Sequence, residues 1–107
     1  MTLPVPVEYE QFLATHGAFE GFTVGDEMPG YVALWPLAEI SGNNSHIEIQ
    51  KYAPGYLAFA GNGGGEVLAF DATGAVYMLP LIGQEPRYAV KVATSFGELA
   101  ARFEMAA

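Results

Sequence analysis

The chain has no cysteine. That excludes disulfides, thiolate metal sites and a thiol nucleophile. Basic side chains are nearly as scarce: four Lys and Arg stand against twelve Asp and Glu, a formal net charge of −8. A duplex-binding surface neutralises phosphates with Lys and Arg, so nucleic acid is disfavoured as a partner. Only two histidines are present, His16 and His46. They lie on separate segments with no paired spacing, whereas a zinc site wants three or four ligands. No apolar run approaches the roughly 20 residues of a membrane span. The opening Met-Thr-Leu-Pro-Val-Pro-Val-Glu lacks a basic region followed by an apolar core, so no signal peptide is expected and a cytoplasmic location is the default.

What remains is a length of 107 residues, which predicts one domain over residues 1–107. A chain of this size buries about 65% of its extended surface, enough for a core without staples. The centre of the chain is Gly55 to Pro80. Three apolar runs, Tyr56 to Ala60, Glu66 to Asp71 and Ala75 to Leu79, are separated by Gly61-Asn-Gly-Gly-Gly65 and Asp71-Ala-Thr-Gly74. The first spacer can adopt positive φ almost throughout, and the second has the type I turn signature. The pattern predicts an antiparallel meander with apolar residues on both faces, hence a sheet covered on both sides.

Helices flank it. Tyr9, Phe12, Leu13 and His16 fall at i, i+3, i+4, i+7, with acidic Glu8 and Glu10 in the first turn and Gly17 as a stop. Phe19 to Val24 predicts a short edge strand, and Tyr31 to Trp35 another strand with Tyr31, Ala33 and Trp35 on one face. Trp35-Pro36 reads as an extended residue followed by the first residue of a short helix, with Leu37 and Ile40 at helical spacing and Gly42-Asn43-Asn44 ending it. Asn43 to Pro54 stays undecided, since His46 to Gln50 alternates like a strand and also fits a helical turn. Tyr88 to Ala93 alternates as an extended segment. Ser95-Phe-Gly-Glu98 is a capping box, with Phe96, Leu99, Ala100 and Phe103 forming the inward stripe of a C-terminal helix and Arg102 in its last turn. The fold class is α+β: an antiparallel-rich sheet with flanking N-terminal and C-terminal helices.

The chemical motifs are weak. Gly61 to Gly65 invites a phosphate-binding reading, but Glu66 stands where the dinucleotide fingerprint needs glycine, a strand rather than a helix follows, and no Lys is near. Asp71-x-Thr73 lacks the acidic ladder of a calcium loop. Asp26 and Glu27 are adjacent and diverge, which is poor geometry for an acid–base pair. Ser41, Ser45 and Ser95 sit in no nucleophile elbow. The aromatics Tyr31, Trp35, Tyr52, Tyr56, Phe59, Phe70 and Tyr77 suit a core better than a groove. No catalytic residue, metal or cofactor is expected. An acidic surface suits a basic protein and also simple solubility. If charge steers a partner, Asp26, Glu27, Glu48 and Glu66 are the candidate contacts.

The order of landmarks resembles the SUKH superfamily, which includes the yeast Smi/Knr cell-wall regulators and many bacterial immunity proteins. Tyr9-Glu-Gln-Phe-Leu13 with Gly17, then Leu34-Trp35-Pro36-Leu37 running into Glu39-Ile40, carry the first part of the likeness. Tyr56-Leu-Ala-Phe-Ala-Gly61-Asn62-Gly63-Gly64-Gly65-Glu66, Ala69-Phe-Asp71, Gly74 to Pro80 and Ser95-Phe96-Gly-Glu-Leu99 carry the rest. The family often has Asp where Asn62 stands, and Gly17 to Gly30 does not align. The resemblance implies a binding role rather than an active site. In bacterial members that role is neutralising a toxin, often a nuclease. It implies a protein partner, such as a basic toxin domain, with no nucleic acid and no membrane, and a monomer or weak homodimer. A scaffold module with a non-toxin partner and a small-ligand domain built on Gly61 to Gly65 are the other readings.

Overall fold

In a computed structural model, residues 3–24 and 29–104 are described. The chain runs α1 (Val7–His16), β1 (Glu20–Phe22), β2 (Tyr31–Leu34), α2 (Leu37–His46), α3 (Ile49–Tyr52), β3 (Leu57–Gly61), β4 (Glu66–Phe70), β5 (Val76–Pro80), β6 (Val90–Ala93) and α4 (Phe96–Ala100), with a single 3-10 turn at Pro86–Tyr88 before β6. The strands form one antiparallel sheet in the order β1-β2-β3-β4-β5-β6. The expected meander is therefore its central half, and the fold is α+β.

Both faces of β3 and β4 are buried, as their two-sided apolar pattern predicts. On one face α1 and α4 cover an aromatic core. Phe59 and Phe70 stack with ring centroids 4.0 Å apart. Tyr9 meets them edge-on at 5.2 and 5.8 Å, and Phe96 closes on Tyr9 at 5.0 Å. On the other face α3 lowers Ile49 and Ala53 onto Ala58, Val67, Ala69 and Leu79. Small side chains at Ala58 and Ala69 leave room for that close approach. Of the remaining aromatics, Tyr31, Trp35, Tyr56 and Tyr77 are half-buried and Tyr52 is exposed, so the core reading holds for Phe59 and Phe70 and only partly for the others.

Several local expectations are corrected. Pro36 is the residue before α2 rather than its first. Gly42-Asn43-Asn44 does not end that helix, which continues to His46. The reason is Asn44. Its Nδ2 donates to the carbonyls of Ile40 (2.7 Å) and Ala58 (2.8 Å), and its Oδ1 accepts from the Ala58 amide at 2.8 Å. A side chain satisfied this way no longer competes with its own backbone, which is what makes Asn a helix breaker. His46 to Gln50 is neither a strand nor one helix: Glu48 takes φ +56° between α2 and α3. Ser95 Oγ accepts from the Glu98 amide at 3.1 Å as a cap should. The Glu98 carboxylate turns to the Thr94 amide (3.2 Å) and hydroxyl (2.8 Å) instead of the Ser95 amide, because Thr94 offers two donors together. α4 is only five residues long. Beyond it Phe103 leaves the helix to bridge Thr23 and stack on Phe19 at 4.5 Å.

That departure closes the sheet's flanks. The Arg102 carbonyl accepts from the Val24 amide (2.7 Å) and the Glu104 amide donates to the Phe22 carbonyl (2.8 Å), so the segment runs along the outer side of β1. The Arg102 guanidinium meanwhile donates to the Val92 carbonyl of β6 at 3.0 Å and to Glu98 at 3.3 Å. Arg102 was expected in a helical turn; it serves both outer strands.

The Asp71 to Gly74 turn forms as expected, with the Gly74 amide on the Asp71 carbonyl at 3.1 Å. Burial pushes the Asp71 carboxyl up, but hydrogen bonds from the Thr73 hydroxyl and the Thr73 and Ala75 amides, with Lys91 nearby, outweigh it and hold the group below its usual value. A depressed folded pKa gives stability that is present above the unfolded value of about 3.9 and is lost as pH falls through the folded one. Asp71→Ala should therefore cost about 1 kcal/mol at pH 7, near 5 °C in Tm. The gap between variant and parent should narrow in melts run below roughly pH 4. A gap that stays the same at pH 3 would count against this account.

Candidate functional site

Residues that could do chemistry are scattered or already engaged. His16 is exposed at the end of α1 against Phe12, and His46 is exposed at the end of α2. Ser95 is committed to its cap. Among the described residues no group of three or more His, Asp or Glu could hold a metal, and no helix is long and apolar enough to cross a membrane. The Gly61 to Gly65 loop is organised around Asn62. Its Oδ1 accepts from the Gly64 amide (2.9 Å) and the Glu66 amide (3.2 Å), and its Nδ2 donates to Glu66 Oε1 at 3.0 Å. The amides a phosphate would need are thus turned onto a side chain, with a carboxylate beside them. Gly63 and Gly65 hold φ +75° and +88°. A Cβ at Gly63 would also stand 3.1 Å from Tyr31 Cδ2. An Asp at position 62 could not make the Nδ2 bond and would set like charge against Glu66.

The geometry instead draws attention to one end of the sheet. Because sheet order follows chain order, the β1–β2, β3–β4 and β5–β6 connections all lie at the same end. Gly63 abuts Tyr31 across the first two. The Leu81 amide donates to the Gly65 carbonyl at 3.0 Å, joining the second to the third. Gln84 Nε2 then donates to the Ile47 carbonyl at 3.1 Å, which brings Glu48 alongside. Among the described residues most large apolar side chains left exposed cluster at this end: Phe22, Val24, Leu81, Ile82, Tyr88 and Val90.

Of the acidic candidates, Glu66 and Glu48 are placed at this end, at the start of β4 beside the second loop and on the α2–α3 turn. Glu66 is tied to Asn62, and Glu48 lies 3.8 Å from Lys51 in an exposed pair. Asp26 and Glu27 lie outside the described residues. The structure adds Glu20, which accepts from the Tyr31 hydroxyl, and Glu85, paired with Arg87 at 3.4 Å. Sequence reasoning passed over Leu81 and Ile82. The available signal was the apolar pair Leu81-Ile82 directly before Gly83. Of the residues that carry the family likeness, Trp35, Pro36, Gly61 to Gly65, Asp71, Ser95 and Phe96 serve turns, caps and core.

No curated protein matches the chain at a significant level. The model of the SMI1 / KNR4 family (SUKH-1) matches residues 1–102. The match takes in the six strands and four α-helices found among the described residues, and the chain belongs to that family.

Proposed function

We propose that this chain is a non-enzymatic protein-binding domain that neutralises a cognate toxin, of nuclease type, by direct binding. Membership of a family that includes immunity proteins supports the reading. The observation that carries it is the acidic surplus of a chain of net charge −8, part of which stands at the loop end of the sheet as Glu20 and Glu66, with Glu48 and Glu85 there in exposed pairs with Lys51 and Arg87. Nuclease toxins are basic where they grip nucleic acid, and a surface of opposite sign both steers their approach and competes for that grip.

The test is a tagged pull-down from lysate of the source organism, washed at low and high salt. The captured polypeptide is then expressed alone and together with this chain. A basic polypeptide, released by salt, that arrests growth alone and not in co-expression is the expected result. A partner that is not toxic would assign the chain to a scaffold role instead. With that partner in hand, Glu48→Lys combined with Glu66→Lys should lower the association rate about tenfold at low salt and change dissociation little. An unchanged association rate would remove steering from the account.

A further inference from the structure

We infer that the loop end of the sheet is the docking surface, with Ile82 as its central apolar anchor and a basic protein domain as its occupant. The inference rests on the binding role proposed above and deepens it.

Ile82 is 94% exposed. It stands on the β5–β6 connection between Leu81, itself exposed, and Gly83 at φ +72°. The connection beneath it is held from several sides. Leu81 is bonded to Gly65. Gln84 is only 6% exposed and reaches across to Ile47. The Tyr88 and Ala89 amides close a 3-10 turn on the Glu85 and Pro86 carbonyls at 3.0 and 3.1 Å, and Ala89 packs into the second core. A large aliphatic side chain held out on a braced loop loses little freedom when it enters a pocket, which is the character of an interface hot spot. Tyr88, on the same connection, and Val90, at the start of β6, are exposed as well.

Charge selects the occupant. Glu20, Glu66 and Glu85 border this area, and its cation Arg87 is engaged by Glu85 and by the Tyr88 ring, 4.8 Å away. A second copy would bring like charges face to face, whereas a basic domain brings opposite ones. The β4–β5 turn at the far end exposes Ala72 and Thr73, and the other exposed large apolar side chains among the described residues, Val7, Leu37 and Tyr52, lie on three separate helices.

The probe is the recombinant basic polypeptide from the pull-down. Its affinity is measured by calorimetry for the parent chain, for Ile82→Asp and for Val7→Asp. Val7 is also solvent-facing, at the start of α1 after Pro6, which borders the Asp71 to Gly74 turn at the opposite end. Ile82→Asp should weaken binding about thirtyfold or more, and Val7→Asp by less than about twofold. If Ile82→Asp does not fold, hydrogen exchange of the parent serves: residues 80–90 should gain protection in the complex. Equal affinity for Ile82→Asp, equal loss in both variants, or no added protection overturns the surface and leaves the binding role standing. A pull-down without any basic polypeptide overturns both. A parent chain that sediments as a dimer, and becomes a monomer as Ile82→Asp, assigns the surface to a second copy and overturns the basic occupant.

Discussion

Asn44→Ala should cost the fold about 4 kcal/mol, close to the whole stability of a weak domain of this size. β2 pairs with β3 only as far as Ala33 and Leu34, and the last rung is the Trp35 amide on the Phe59 carbonyl at 2.9 Å. The chain then leaves the sheet at Pro36. Ala58, fully buried, would be left facing a gap with both its amide and its carbonyl. The Asn44 carboxamide fills the gap with one donor and one acceptor, acting as a detached rung of β2, while its second N–H caps Ile40. Alanine orphans two buried backbone groups, each worth about 1–3 kcal/mol. Asn44→Asp should be no milder: it keeps the acceptor, loses both donors and sets a charge against two carbonyl oxygens. Denaturant titrations measure both. A cost below about 1 kcal/mol for Asn44→Ala would mean that the sheet closes the gap by itself.

Tyr9→Ala should be of similar size, about 4–5 kcal/mol. The ring is fully buried among Phe59, Phe70 and Phe96. Its hydroxyl donates to the Trp35 carbonyl at 2.6 Å and lies 3.2 Å from the Phe59 carbonyl. Burial pushes the hydroxyl pKa far up, against the smaller pull of the Trp35 bond, so the group remains a donor. The Phe59 carbonyl already accepts from Trp35, so Tyr9→Phe strips a partner mainly from the Trp35 carbonyl and should cost only about 1–2 kcal/mol. Denaturant midpoints for the two variants separate ring from hydroxyl. If Tyr9→Phe were as damaging as Tyr9→Ala, the hydroxyl rather than the packing would hold α1 on the sheet.

Both residues mark where the sequence could and could not be read. Tyr9 stands out because its helical stripe is local: Phe12, Leu13 and His16 announce it within two turns. The β3–β4–β5 meander is equally legible, since short runs and turn glycines specify nearest-neighbour pairing. Asn44 was misread because its role is decided by Ala58, fourteen residues away, and local propensity argues for the opposite. Phe103 is a similar case. Its stripe position in a helix is sound, yet pairing with Thr23 outweighs the last helical turn. The loop end of the sheet was half visible. Acidic residues mark Glu48 and Glu66 in sequence, but only the register of the strands brings the β3–β4 and β5–β6 loops together and sets Ile82 among them.

Because each strand pairs with its immediate successor, every loop at that end joins two strands that are neighbours already. Lengthening such a loop costs closure entropy of about 0.6 kcal/mol per doubling and need not move a strand. The strand frame thus stays fixed while the loops vary, except that the second and third are tied where the Leu81 amide meets the Gly65 carbonyl and must change together there. Such loops can differ at a handful of positions while Asn44, Tyr9 and the aromatic stack keep the frame the same.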